Sequence, residues 1–423
     1  MNSNQSKRRN CQLYQATWTV LLVSVVSLCS AASTAQGPAS PTDTALWKGP
    51  HQAFDLPWNS PQGVAHEWIH LGTEDWQYLH GISLATDGSN IVATWENGHQ
   101  VEHDSGCRVR GRWTHDGGRT WLPPFEVIPP TDSNRHRSHG VLWNQDGNLH
   151  MLVTTFERKG YQNAEGQWVG SARPGYQLTY VDLQTEHWIW NHQTDTWDLQ
   201  RPFVSGVFPS GKPKPLPSGD NWIMGGFDTH GHPVVVRWRH SDMESPHTTV
   251  IPLDVDPIDP LRFGETDILV GTDRLVALSR YQTNSKENPG NGLISISEDD
   301  GQTWSKAIPT TFPMAASRPC LGRLSSGEPY LIFNPNDRRR LAIATGPQNS
   351  TSLDRVFLVR DSPPPEPRFP AFSRPQWSYP IALEYKDQLL IAYSASKEDA
   401  AITAIPIRSL QRSKTTEKHH NTN

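Results

Sequence analysis

Cysteine is scarce in this chain, with four in 423 residues. Cys11 and Cys29 fall within the first 35 residues, which leaves Cys107 and Cys320. Two cysteines cannot build a disulfide framework, although one bond between them is open in an oxidising compartment. The His and Cys spacings of familiar metal sites are also missing, so no metal and no other cofactor is expected. Positive charge is not in excess: 38 Lys and Arg stand against 43 Asp and Glu, for a net charge of −5. That removes the basic face a nucleic-acid partner would need. Past the first 35 residues no helical period is sustained, and mean hydropathy is −0.60. Such a chain is expected to be all-β, with many short strands.

Residues 1–35 have the pattern of a secretory signal peptide. Lys7, Arg8 and Arg9 form a positive start, Thr17 to Leu28 is apolar, and Ser33-Thr34-Ala35 offers small residues for cleavage. The apolar run is short for a spanning helix. The expected location is therefore secreted or periplasmic, with no membrane contact beyond the signal. Residues 409–423 are polar and read as a disordered tail. The domain expected between them covers residues 36–408.

Glycine, proline and tryptophan are plentiful, at 31, 35 and 17. Two stretches share one spacing. Ser297-Glu298-Asp299-Asp300-Gly301-Gln302-Thr303-Trp304 reads Ser-x-Asp-x-Gly-x-Thr-Trp, and Thr114 to Trp121 repeats it with Asp116, Gly118, Thr120 and Trp121. An Asp can accept backbone N–H groups inside a turn, a Gly can take a positive φ, and the Trp can fold back as an apolar plug. With these turns as register, an inner strand should begin some tens of residues before each. The same texture then recurs near His80, His139, Lys214, Glu265, Arg318 and Tyr379. Six units at this spacing predict a six-bladed β-propeller of four-stranded antiparallel blades. Part of residues 36–78 is expected to supply the outer strand that closes the ring.

The two motifs resemble the Asp-box of sialidase-type propellers, and residues 65–408 resemble that superfamily as a whole. The resemblance implies a tyrosine nucleophile with a glutamate partner, an arginine clamp for the substrate carboxylate, and an aspartate acid/base. Tyr379, in Tyr379-Pro380-Ile381-Ala382-Leu383, matches the nucleophile, and Glu265 matches its partner. Arg338, seven residues before the eroded box at Thr345, matches one clamp member, and Arg280 is a candidate for a second. His80-Gly81 stands where the first sialidase arginine would be, and Asp104 is the nearest candidate for the acid/base. The implied activity is that of an exo-acting, exo-α-sialidase-like glycoside hydrolase whose partner is an anionic glycan carrying sialic acid-like or uronic acid units.

Read from the residues alone, the six strand starts already form a pattern. His80, His139, Lys214, Glu265, Arg318 and Tyr379 would all face one end of the central channel, and a purely structural ring needs no such set. Their convergence fits a pocket for an anionic substrate. Tyr and Glu with an Arg clamp suit hydrolysis through a glycosyl-tyrosine. His and Tyr beside Arg or Lys suit β-elimination on a uronate, which makes a polysaccharide lyase the alternative. A propeller that binds carbohydrate without cleaving it is the third possibility.

Overall fold

The computed structural model describes residues 46–50, 58–103, 106–131, 135–158, 161–162, 168–169, 180–253, 261–283, 290–369 and 374–412. Its sheets form six antiparallel blades around a central axis, as the repeat predicts. Blade I comprises Tyr78–Thr86, Ile91–Gly98, Arg108–Thr114 and Phe125–Ile128. Blade II comprises Arg135–Gln145, Asn148–Arg158, Tyr180–Asn191 and Thr196–Ser205. In blade III the inner strand is broken into Val207–Pro209 and Lys214–Pro215, and Asn221–Asp228, Pro233–Arg239 and Asp242–Val250 follow. Blade IV runs Thr266–Val270, Leu275–Arg280, Asn291–Ser297 and Ile308–Pro313. Blade V runs Cys320–Arg323, Pro329–Phe333, Leu341–Thr345 and Arg355–Arg360. Blade VI takes Trp377–Tyr385, Gln388–Ala395 and Asp399–Pro406 from the end of the fold, and its outer strand, Ala65–His70, from the beginning.

The local chemistry explains these elements. Ile91-Val92-Ala93-Thr94-Trp95 is β-branched and apolar, and every residue of its strand is buried because neighbouring blades cover both faces. Asp146 and Gly147 both have positive φ, 54° and 84°, the backbone that a two-residue hairpin turn requires. Apolar side chains interlock between blades. Leu142 and Met151 of blade II pack on Ala85, Val92 and Val109 of blade I. Ile268 and Leu293 of blade IV pack on Ile223 and Val235 of blade III.

Both Asp-boxes join the third and fourth strands of their blades. Asp299 Oδ1 accepts the Thr303 N–H at 2.9 Å, Thr303 Oγ1 donates to Oδ2 at 2.6 Å, and Trp304 Nε1 donates to the Gly301 carbonyl at 3.2 Å. Asp116, Thr120, Gly118 and Trp121 repeat the same bonds. Gly301, at φ 78°, lies against Ile223 of the preceding blade, so the box also fixes how one blade seats on the next.

The ordered chain continues past residue 408, because Leu410 is fully buried and Arg355 donates to its carbonyl at 2.7 Å. Residues 413–423, the rest of the expected tail, lie outside the described residues. The signal-like residues 1–35 also lie outside them. Cys107 and Cys320 are buried and are not joined to each other.

Candidate active site

The inner strands of blades I, II and VI each carry a break in pairing register at the same end: between His80 and Ser83, between Arg137 and Gly140, and between Ser378 and Ile381. The extra residues turn polar side chains toward the axis. In blade I the break contains Gly81 at φ 64°, with the His139 ring where a Cβ would stand. In blade VI the corresponding break contains Tyr379 at φ 57°. A bulky side chain in left-handed backbone costs about 1–3 kcal/mol and persists where the surroundings enforce it.

Tyr379 is the hub of the site. The His80 ring lies 4.0 Å away between centroids, and Arg318 Cζ stands 4.6 Å above the phenol ring. Arg338 Cζ is 5.6 Å from the ring, and His139 meets it edge-on at 6.2 Å. Arg280 Nη1 donates to the Tyr379 hydroxyl at 3.1 Å and to Glu265 Oε2 at 2.7 Å. The Tyr379 hydroxyl also hydrogen-bonds Glu265, as their pairing in the sequence reading expects, and the Arg280 guanidinium is a donor shared by both. Arg280 ends the second strand of blade IV, and its backbone N–H bonds the Glu265 carbonyl at 2.9 Å, so the pair is fixed across one hairpin. Arg338 enters from the turn before the third strand of blade V, held by Gln376 Oε1 at 2.9 Å and the Ala316 carbonyl at 2.8 Å.

The electrostatics follow from burial and these neighbours. Burial favours an uncharged Glu265, but Arg280, Arg318 and the Tyr379 hydroxyl outweigh it and hold the carboxyl below its ordinary value. Burial and then the Glu265 charge raise the Tyr379 phenol, against the pull of Arg280 and Arg338. Burial holds His80 well below its ordinary value, helped by the charges of Lys397 and nearby groups. Burial also lowers His139; Glu96 opposes the shift and Arg318 reinforces it. At neutral pH the site therefore combines three guanidiniums with one adjacent carboxylate and two neutral imidazoles.

One candidate lies elsewhere. Lys214 does not reach the mouth of the channel. Its Nζ bonds Asp267 Oδ1 at 2.6 Å and the carbonyls of Ile268 and Leu321 at 2.5 and 3.0 Å, bracing the inner strands of blades IV and V. The reason is the broken inner strand of blade III: Val207–Pro209 holds the level of the site, where Phe208 packs on His139 at 5.2 Å, and Lys214 falls further along the channel. Asp104 lies outside the described residues.

The structure adds Glu96, which the strand-start reading passed over. It is fully buried in the second strand of blade I. Its Oε1 is 2.8 Å from His103 Nδ1, and its Oε2 accepts the Ser138 hydroxyl and lies 3.7 Å from His139 Nδ1. The available signal was a lone carboxylate ending the apolar run Ile91 to Trp95.

A ring of four-stranded blades with Asp-boxes, and a polar cluster at one end of its axis, defines the class: a sialidase-like six-bladed propeller. The family model for the BNR repeat-like domain matches residues 89–391, and the chain belongs to that family. Among solved structures it is similar to the NanB sialidase of Streptococcus pneumoniae, at 11% identity and TM-score 0.56, covering 82% of this chain and 71% of that one. It is similar to the intramolecular trans-sialidase of Ruminococcus gnavus, at 13% identity and TM-score 0.57, covering 84% and 99%. It is also similar to a protein of unknown function from Dyadobacter fermentans, at 13% identity and TM-score 0.59, covering 81% and 100%. At these identities the likeness speaks for the fold alone. No curated protein matches the chain.

Proposed function

We propose that the protein is an exo-acting glycoside hydrolase of the sialidase type, working on a sialic acid-like or uronic acid glycan. The observation that carries this reading is the shared Arg280 donor between Tyr379 and Glu265, with Arg318 and Arg338 beside it. The guanidiniums would hold the carboxylate of the sugar through forked donors. The Tyr379 oxygen attacks the anomeric carbon while Glu265 takes the phenol proton, which makes a weak neutral nucleophile usable. The glycosidic C–O bond breaks, and the departing oxygen takes a proton from an acid, for which Asp104 is the candidate. Water then attacks the glycosyl-tyrosine, giving its proton to that same acid, and Glu265 returns the proton to the phenol. His80 Nε2 is buried with no hydrogen-bond partner among the described residues, and a bound sugar oxygen would satisfy it. We place the activity outside the cytoplasm, after loss of the first 30–36 residues; N-terminal sequencing of exported protein would read the start.

The test is a panel of sialosides and polyuronates with product analysis. Release of a reducing sugar, lowered at least about a thousandfold in Tyr379→Phe with melting temperature kept, is the expected result. Full activity in Tyr379→Phe would sink the nucleophile assignment. A second reading, the uronate lyase, is favoured by one observation: His139 is held neutral, with Glu96 near Nδ1 and Arg318 3.4 Å from Nε2. A neutral imidazole beside a cation can take a C5 proton. Its mark would be an unsaturated, ultraviolet-absorbing product that disappears in His139→Ala.

A further inference from the structure

The second strand of blade III ends in the turn Asp228-Thr229-His230-Gly231-His232, built around one carboxylate. Asp228 Oδ1 accepts the backbone N–H groups of His230 and His232 at 2.8 and 2.9 Å. The other oxygen, Oδ2, faces both imidazoles, 3.3 Å from His232 Nδ1 and 3.8 Å from His230 Nδ1. The rings lie side by side, with centroids 5.8 Å apart and planes 19° from parallel. Each of the three residues brings a ligand atom within 4.8 Å of the other two. In a tetrahedral zinc site with bonds of about 2.0–2.1 Å, neighbouring ligand atoms stand roughly 3.3 Å apart. The Asp228–His232 pair already stands at that spacing, and a small closure of the exposed His230 ring would bring in the third atom.

We propose that Asp228, His230 and His232 bind one divalent transition-metal ion of the zinc type, water completing its coordination. Two imidazoles and one carboxylate suit zinc, nickel or copper; calcium and magnesium take oxygen ligands. The His230 side chain is 76% exposed and that of His232 40%, so an ion has open access. A simple ion pair would need only His232; here the exposed His230 also turns its Nδ1 toward the same oxygen. The turn is firmly seated. Gly231 has φ 85°, and the Arg262 carbonyl stands where a Cβ would be. The Gly231 carbonyl accepts the N–H of Gly264, the residue before Glu265, at 2.8 Å. The ion would sit beside the segment that delivers Glu265, whatever reaction that residue serves.

The test uses the full chain stripped with a chelator, then titrated with Zn²⁺ by calorimetry and with Co²⁺ by visible absorption. Uptake of one ion per chain is expected. His230→Gln should weaken it at least about tenfold, and His230→Gln with His232→Gln should remove it. His230 is largely in solvent, so its variant should melt at the parent's temperature without metal, which separates lost binding from lost folding. No uptake by the parent, or equal uptake by the double variant, overturns the site; the second outcome would put the ion elsewhere, for example on His419 and His420.

Discussion

Two walls of the axial site each bury one carboxylate, and they treat it differently. On the side of blades IV to VI, Glu265 lies against Arg280, a cation at every pH a protein survives, with Arg318 close by. On the side of blades I and II, Glu96 lies against Ser138, His103 and His139. Its carboxyl is also held well below its ordinary value: burial acts to raise it, and the charge of His103 with the hydrogen bonds of His103 and His139 prevails. One wall is therefore fixed by a permanent ion pair, and the other by partners that are themselves titratable. A buried carboxylate can be kept charged either way, and either way its depressed value couples the wall to acid pH; only the second wall rests on imidazole partners as well.

Breaking the first wall should have the largest effect on stability. Arg280→Met leaves Glu265 buried without its nearest cation and removes a donor from Tyr379. A loss of about 3–5 kcal/mol is expected, measured by denaturant unfolding. A loss below about 1 kcal/mol would mean that Arg318 alone compensates.

Glu96→Gln sharpens the contrast through pH. A carboxyl whose folded value is depressed contributes stability above its unfolded value, and that contribution is lost as pH falls through the folded value. The parent should thus weaken as pH drops below about 4.5, and the variant should lose less over the same range. The neutral amide should cost about 1–3 kcal/mol at pH 7. Parallel curves for parent and variant would show that Glu96 does not carry the linkage.

The smallest effect is the control. Asp299→Ala removes the acceptor of the blade IV box, far from either wall in the chemistry it serves. About 1–2 kcal/mol of stability should go. Against burial, the bonds of Thr303 and Ser297 hold this carboxyl below its ordinary value, so part of the acid-side loss goes with it, while the profile above the carboxylate range keeps its shape. A changed shape in the neutral range would mean that blade seating and the axial charges are coupled.

The fold was legible because its signal is local and repeated. Two eight-residue boxes set a register, and hairpin turns such as Asp146-Gly147 marked the strands between. Blade III escaped because prolines interrupt its inner strand, so a reading that expects one continuous strand puts Lys214 at the mouth. For the site, strand starts found Tyr379, Glu265, Arg318, His80 and His139. Arg338 and Arg280 enter only as clamp candidates through the family resemblance; Arg280 sits at the end of a second strand, where nothing in a linear pattern shows that it crosses to Glu265 and Tyr379. Glu96 is hidden for the same reason. The metal-like turn went unseen because its three donors alternate within five residues, Asp-x-His-x-His, and match none of the spacings sought.

The outer strand of blade VI has a mechanical consequence. Ala65 pairs with Ala404, and the partner strand runs on only to Pro406. A pull on the segments flanking the ring would reach the Ala65–Ala404 pair once the hold of Arg355 on Leu410 and the bonds of Leu46, Lys48 and Asn59 to Leu353 and Leu358 give way. The bonds would then be loaded one after another, like the teeth of a zipper, instead of all together. A molecule stitched by apolar seams against heat would open at a single seam under traction, and that seam is where an unfolding protease, past the flanking contacts, would break into the ring.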